Sequence, residues 1–124
     1  GGGLSKNLFE PTLLENVDEA SEVYKDEAFG PVAILEKYKD FEAGISTINK
    51  SRFGLQAGVY TQNLNNMLYA WDHLHVGGVI IDDIPTFRVD NMPYGGVKDS
   101  GLGREGIQSA IRDMQEERLL VIKQ

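Results

Sequence analysis

The feature that most restricts this chain is an alternation of short β-compatible runs with amphipathic helical repeats between Pro31 and Ile81. Pro31 to Tyr38 (PVAILEKY) is a short apolar run that reads as a strand. Asp40 then stands where an N-cap belongs, before a helix with Phe41, Ile45 and Ile48 on one face. Gly54 is read as the stop of that helix, and Leu55 to Thr61 (LQAGVYT) as a second strand. Asn63 caps the next helix, whose apolar positions Leu64, Met67, Leu68, Trp71 and Leu74 keep the helical period. Gly77-Gly78 ends it, and Val79-Ile80-Ile81 is a third strand. The order βαβαβ predicts an α/β fold with a mostly parallel sheet and right-handed crossovers.

The flanks are less regular. Asp82 to Gly103 is rich in Gly and Pro and poor in periodic apolar residues, which predicts a long ordered loop of the kind that often carries function. Ile107, Ala110, Ile111 and Met114 then mark a C-terminal helix, and Leu119 to Ile122 a terminal apolar strand. A hydrophobic strand at a chain end leaves backbone groups unpaired unless another sheet receives it. Leu8 to Leu14 is a further candidate strand without an obvious mate. Together these suggest a sheet that belongs to something larger.

Composition narrows the function classes. A formal net charge of −7 argues against nucleic acid, which is gripped by clustered positive charge. No polybasic run serves an anionic membrane surface, and the apolar run Gly77 to Ile81 is far too short to span a bilayer. A cytoplasmic location is the expectation. The 124 residues contain no Cys, which excludes disulfides, thiolate metal sites and a cysteine nucleophile from this stretch.

Several residues invite a chemical reading. Gly101-Leu102-Gly103-Arg104-Glu105-Gly106 matches G-x-G-x-x-G, but no strand precedes it, so a glycine-rich approach to a helix explains it better than a phosphate cradle. His73 and His75 lie two apart, a spacing that does not bring helical side chains together on one ion, so no metal site is expected. Asp82 and Asp83 follow a buried strand and serve either acid–base chemistry or local amide hydrogen bonds. Glu27, ahead of Phe29-Gly30-Pro31-Val32, is either an acceptor for sugar hydroxyls beside an aromatic ring or a structural acid.

The stretch Glu27-Ala28-Phe29-Gly30-Pro31-Val32 resembles the E-x-F-G-P-V element of aldehyde dehydrogenases. Pro93 to Glu105 (PYGGVKDSGLGRE) is similar to that family's P-F/Y-G-G-x-K-x-S-G-x-G-R-E signature. Pro11-Thr12-Leu13-Leu14, Asn49, Gly54 to Gly58 and Gly77-Gly78-Val79 fall in the family's order and spacing. The resemblance covers nearly the whole chain and implies the C-terminal portion of the catalytic domain over 1–116, with an oligomerisation strand over 117–124.

That resemblance implies roles as well. Glu27 would hydrogen-bond the nicotinamide ribose of NAD or NADP, and Phe29 would pack near the ring. Tyr94 would line the substrate tunnel, with Phe87 and Arg88 on the variable substrate-access loop, Ile84 to Asn91. Arg88 would anchor an anionic or polar aldehyde. Leu119 to Ile122 would join a neighbouring subunit in a homo-oligomer. The family reaction uses a cysteine thiolate that forms a thiohemiacetal, then a glutamate that activates water. Neither lies in this stretch on the resemblance, so no catalytic residue is assigned and the chain alone is expected to be inactive. The alternatives are a non-catalytic dimerising module of the same shape and part of a coenzyme A-acylating relative.

Overall fold

Thr12-Leu13-Leu14-Glu15 finds its mate twenty residues downstream. In the computed structural model, which describes residues 1–124, it pairs in parallel with Val32–Leu35, Thr12 opposite Val32 and Leu14 opposite Ile34. The chain forms two units, Gly1–Gly44 and Ile45–Gln124.

In the first unit, β1 (Leu4–Ser5) and β2 (Leu8–Phe9) make a small antiparallel hairpin. Then come β3 (Thr12–Glu15), α1 (Glu22–Lys25) and β4 (Val32–Leu35), a parallel pair joined through a one-turn helix. Thr12, Leu14, Val32 and Ile34 are half-buried, while Leu13 and Leu35 on the opposite face are 66% and 49% exposed. Apolar side chains on both faces are the pattern of a strand covered on both sides in its final setting.

Helix α2 (Phe41–Asn49) begins as expected, because Asp40 Oδ1 accepts the Ala43 N–H at 2.8 Å. It stops at Asn49, well before Gly54, so the expected glycine stop is corrected. The last turn tightens through Lys50 N–H to Thr47 O and Ser51 N–H to Ile48 O. Gly54 instead lies in β5 (Phe53–Gly54), antiparallel to β8 (Val97–Lys98). A Cβ there would sit 2.5 Å from the His75 carbonyl oxygen, so close approach of backbone, not helix termination, accounts for this glycine.

The second unit centres on β6 (Gln56–Val59), α3 (Leu64–His73) and β7 (Gly78–Ile81), a parallel βαβ unit. Asn63 caps α3, its side chain accepting the Asn65 N–H at 2.9 Å. Ile45, Val59, Ala70 and Leu74 are the buried apolar residues. Of the helix's periodic residues, Leu64, Leu68 and Trp71 stay 64%, 54% and 68% exposed, since a two-stranded sheet is too narrow to cover the whole stripe. The α/β class and the parallel pairing agree with expectation. The single sheet resolves into separate two-stranded sheets, with β4 and β6 in different ones.

The C-terminal helix is α4 (Ile107–Asp113). Leu119 to Ile122 forms no strand within the chain, which offers it no ladder partner; these residues are 67–88% exposed. No helix is long and apolar enough to cross a membrane.

Candidate functional site

Two patches hold the residues singled out by sequence, one in each unit. In the first, the backbone makes two consecutive three-residue turns before β4: Gly30 N–H donates to Ala28 O at 2.9 Å, and Val32 N–H to Gly30 O at 2.8 Å. The Pro31 carbonyl accepts the Thr12 N–H at 2.8 Å and opens the ladder. Proline has no N–H to offer the sheet, so it suits this first position. These turns leave Glu27 exposed, without a hydrogen bond inside the chain, and Phe29 95% exposed. A carboxylate and an aromatic face two residues apart, both open, suit a diol and a planar ring.

Elsewhere in this unit a cavity of about 500 Å³ lies beside the carboxyl ends of β3 and β4, lined by Glu15, Asn16, Tyr24 and Glu36 among others. Tyr24 OH donates to Glu36 Oε2 at 3.0 Å. Burial pushes the Tyr24 pKa up, and the accepting, negatively charged Glu36 and the nearby Glu19 add to the rise.

The second patch is built on the loop after β7. Asp82 Oδ1 accepts the Thr61 N–H at 3.0 Å and Asp83 Oδ1 the Ile84 N–H at 2.7 Å, so both carboxylates serve local amides. Arg88 lies over the Tyr94 ring, its Cζ 4.4 Å from the centroid, and its Nη2 pairs with Glu105 Oε2 at 2.7 Å. Tyr94 and Glu105 are joined by two backbone hydrogen bonds, Tyr94 N–H to Glu105 O at 3.0 Å and the reverse at 2.6 Å. Phe87 is fixed through its backbone instead: its N–H donates to Ile84 O, and its carbonyl accepts from Gln56 Nε2, both at 3.3 Å. Its side chain is 45% exposed.

The loop that carries Tyr94 is latched by its own signature residues. Lys98 Nζ donates to the Asn49 and Ser51 carbonyls at 3.1 and 2.9 Å, at the negative end of α2. Asp99 pairs with Arg52 at 2.6 Å, and Ser100 Oγ accepts the Gly54 N–H at 2.9 Å. Asn49 closes the arrangement, donating to His73 O at 2.6 Å and accepting the His75 N–H at 2.8 Å. Arg104 Nη1 reaches the Gly96 and Gly103 carbonyls at 2.9 and 2.7 Å. Apart from the side-chain pair Asp99–Arg52, these polar groups bond to backbone of the chain itself.

His73 stacks on Tyr69 with ring centroids 3.9 Å apart. The three glycines of the G-x-G-x-x-G string, Gly101, Gly103 and Gly106, all have positive φ, and α4 begins immediately afterwards at Ile107. The string is thus a glycine-rich approach to a helix, as expected. Sequence reasoning missed the role of Glu105, because no local period links residues seventeen apart.

A model of the aldehyde dehydrogenase family matches residues 1–120. The lactaldehyde dehydrogenase of Methanococcus maripaludis is 45% identical over 122 residues, which are 98% of this chain and 26% of that protein. Among solved structures, aldehyde dehydrogenase 21 from Physcomitrella patens, in complex with the reaction product succinate, superposes with a TM-score of 0.94. It is 46% identical, and the match covers 99% of this chain and 26% of that one. Glyceraldehyde-3-phosphate dehydrogenase from Methanocaldococcus jannaschii, complexed with NADP, gives a TM-score of 0.82 at 43% identity, covering 92% and 25%. This chain spans about a quarter of the length of these relatives.

Proposed function

The chain belongs to the aldehyde dehydrogenase family, and from that premise we propose that it forms part of an NAD(P)-dependent enzyme oxidising an aldehyde to a carboxylic acid. The observation that carries this reading is the open pair Glu27 and Phe29 ahead of β4. Glu27 accepts hydrogen bonds from the ribose beside the nicotinamide, and Phe29 packs near that ring. When bound, the oxidised nicotinamide supplies the hydride acceptor. The thiolate nucleophile comes from outside these 124 residues, which contain no Cys.

On the second patch, Tyr94 lines the substrate tunnel, with Phe87 and Arg88 on the loop that admits substrate. Arg88 faces the charged end of an anionic aldehyde. The relatives in complex with succinate and active on glyceraldehyde-3-phosphate handle anionic molecules, which supports this class. We further propose a cytoplasmic enzyme that assembles as a homo-oligomer through Leu119 to Ile122, by strand addition to a neighbour's sheet.

The test is Glu27→Ala and Glu27→Gln in the natural polypeptide carrying this chain, with steady-state kinetics against NAD+ and NADP+. Loss of a charge-assisted hydrogen bond is expected to cost about tenfold or more in kcat/KM for the cofactor in the alanine variant. Wild-type values in both variants would refute the assignment.

A further inference from the structure

Arg88 in the second patch is held by Glu105. The Arg88–Glu105 contact of 2.7 Å engages Nη2 alone, while the guanidinium carries five N–H donors. The Tyr94 ring supports one face of the guanidinium at 4.4 Å. Ring and carboxylate are not independent, because the paired backbone hydrogen bonds lock Tyr94 and Glu105 together. Directly after Glu105, Gly106 with φ of 106° turns the chain into α4. Arg88 and Glu105 nevertheless keep 47% and 66% of their side-chain surface exposed, and Nε and Nη1 make no hydrogen bond within the chain, which leaves donors for a second anion.

We propose that Glu105 is a positioning residue for substrate selection: it fixes Arg88 over Tyr94 so that the remaining guanidinium donors favour aldehydes with an anionic group at the far end. The inference rests on the reading of this patch as the substrate-access loop. A flexible arginine loses side-chain freedom each time it binds an anion; one already held on one edge and one face loses less. Glu105 therefore raises selectivity although it carries the same sign of charge as the ligand.

The test compares succinic semialdehyde with propanal as substrates of the natural polypeptide, in wild type and in Glu105→Ala, Glu105→Gln and Arg88→Ala. The readout is the ratio of kcat/KM for the two aldehydes. In Glu105→Ala the ratio is expected to fall about two- to fivefold, the scale of an exposed ion pair, mostly through KM for succinic semialdehyde. Glu105→Gln keeps an acceptor oxygen in place and is expected to restore the ratio to within about twofold. Should the alanine variant fail to fold, Glu105→Asp withdraws the carboxylate by one methylene and carries the same expectation.

A lowered ratio in Arg88→Ala together with a wild-type ratio in Glu105→Ala would overturn the inference and leave the role of Arg88 standing. A raised ratio in Glu105→Ala would also overturn it, since Glu105 would then be a competitor for Arg88. A wild-type ratio in Arg88→Ala would remove the reading of Arg88 itself.

Discussion

Both ends of the Asn49 carboxamide are committed to backbone, to His73 O and to the His75 N–H, across twenty-four and twenty-six residues of sequence. Asn49→Ala would strip partners from both groups, with an expected loss of about 1–2 kcal/mol, read as a lower urea midpoint for the natural polypeptide. Tyr24 offers a second residue-scale check. Its folded pKa stands above the ordinary 10.0, with burial the first cause and Glu36 the next. A proton held more tightly in the folded state favours folding fully below the unfolded pKa, and that contribution is lost as pH rises through the folded one. Tyrosinate absorbance, taken as the difference between wild type and Tyr24→Phe, is expected to show a midpoint above 10.0 that falls in Glu36→Gln. At this scale the sequence was partly legible: Asp40 and Asn63 were readable as caps because capping is local. Arg88 was readable as a candidate, but its partner Glu105 was not, since the two lie seventeen residues apart with the Tyr94–Glu105 bridge beside them.

At the scale of elements, periodicity located α2, α3, α4, β4, β6 and β7, but it missed α1, β5 and β8, placed a strand at Leu119 to Ile122 where none forms, and said little of which strands pair. The parallel pairing of β6 with β7 follows from a strand–helix–strand order that is visible in sequence. The pairing of β4 with β3 was hidden, because the crossover between them carries only the one-turn helix α1, too short to show a period. Glycines misled in the same way. Gly54 looks like a helix stop, yet its reason lies across the fold at the His75 carbonyl. Gly106 sets the junction of loop and α4, with φ of 106° and a hypothetical Cβ only 2.6 Å from Met92 O. Gly106→Ala is therefore expected to destabilise by about 2 kcal/mol or more, from backbone strain plus the clash. It is also expected to loosen the Tyr94–Glu105 bridge, which hydrogen exchange at those two amides would detect as faster exchange.

At the scale of the whole molecule, the apolar surface left open is the main observation. Leu13, Phe29, Leu64, Trp71 and Leu119 to Ile122 are all at least 64% exposed, more than an isolated soluble domain ordinarily leaves open in several places. The chain spans about a quarter of its relatives' length, and in the proposed enzyme these side chains are buried against further chain and, at Leu119 to Ile122, against a second subunit. Leu120→Asp places a charge in the proposed strand-addition surface and is expected to shift the natural polypeptide toward smaller species in analytical ultracentrifugation. Family membership was legible in the sequence because its long motifs, such as Pro93 to Glu105, keep their spacing. The work of those motif residues was not: Lys98, Asp99 and Ser100 turn out to hold the α2–β5 turn and the start of β5. In the proposed enzyme this chain contributes cofactor and substrate contacts to a reaction whose nucleophile is a cysteine elsewhere. The most direct measurement is aldehyde-dependent formation of reduced nicotinamide by the natural polypeptide, followed by absorbance before and after alkylation with iodoacetamide. The expected result is turnover of succinic semialdehyde that alkylation abolishes, although these 124 residues offer no thiol to alkylate. Turnover that survives complete alkylation, or none with any aldehyde tested, would contradict it.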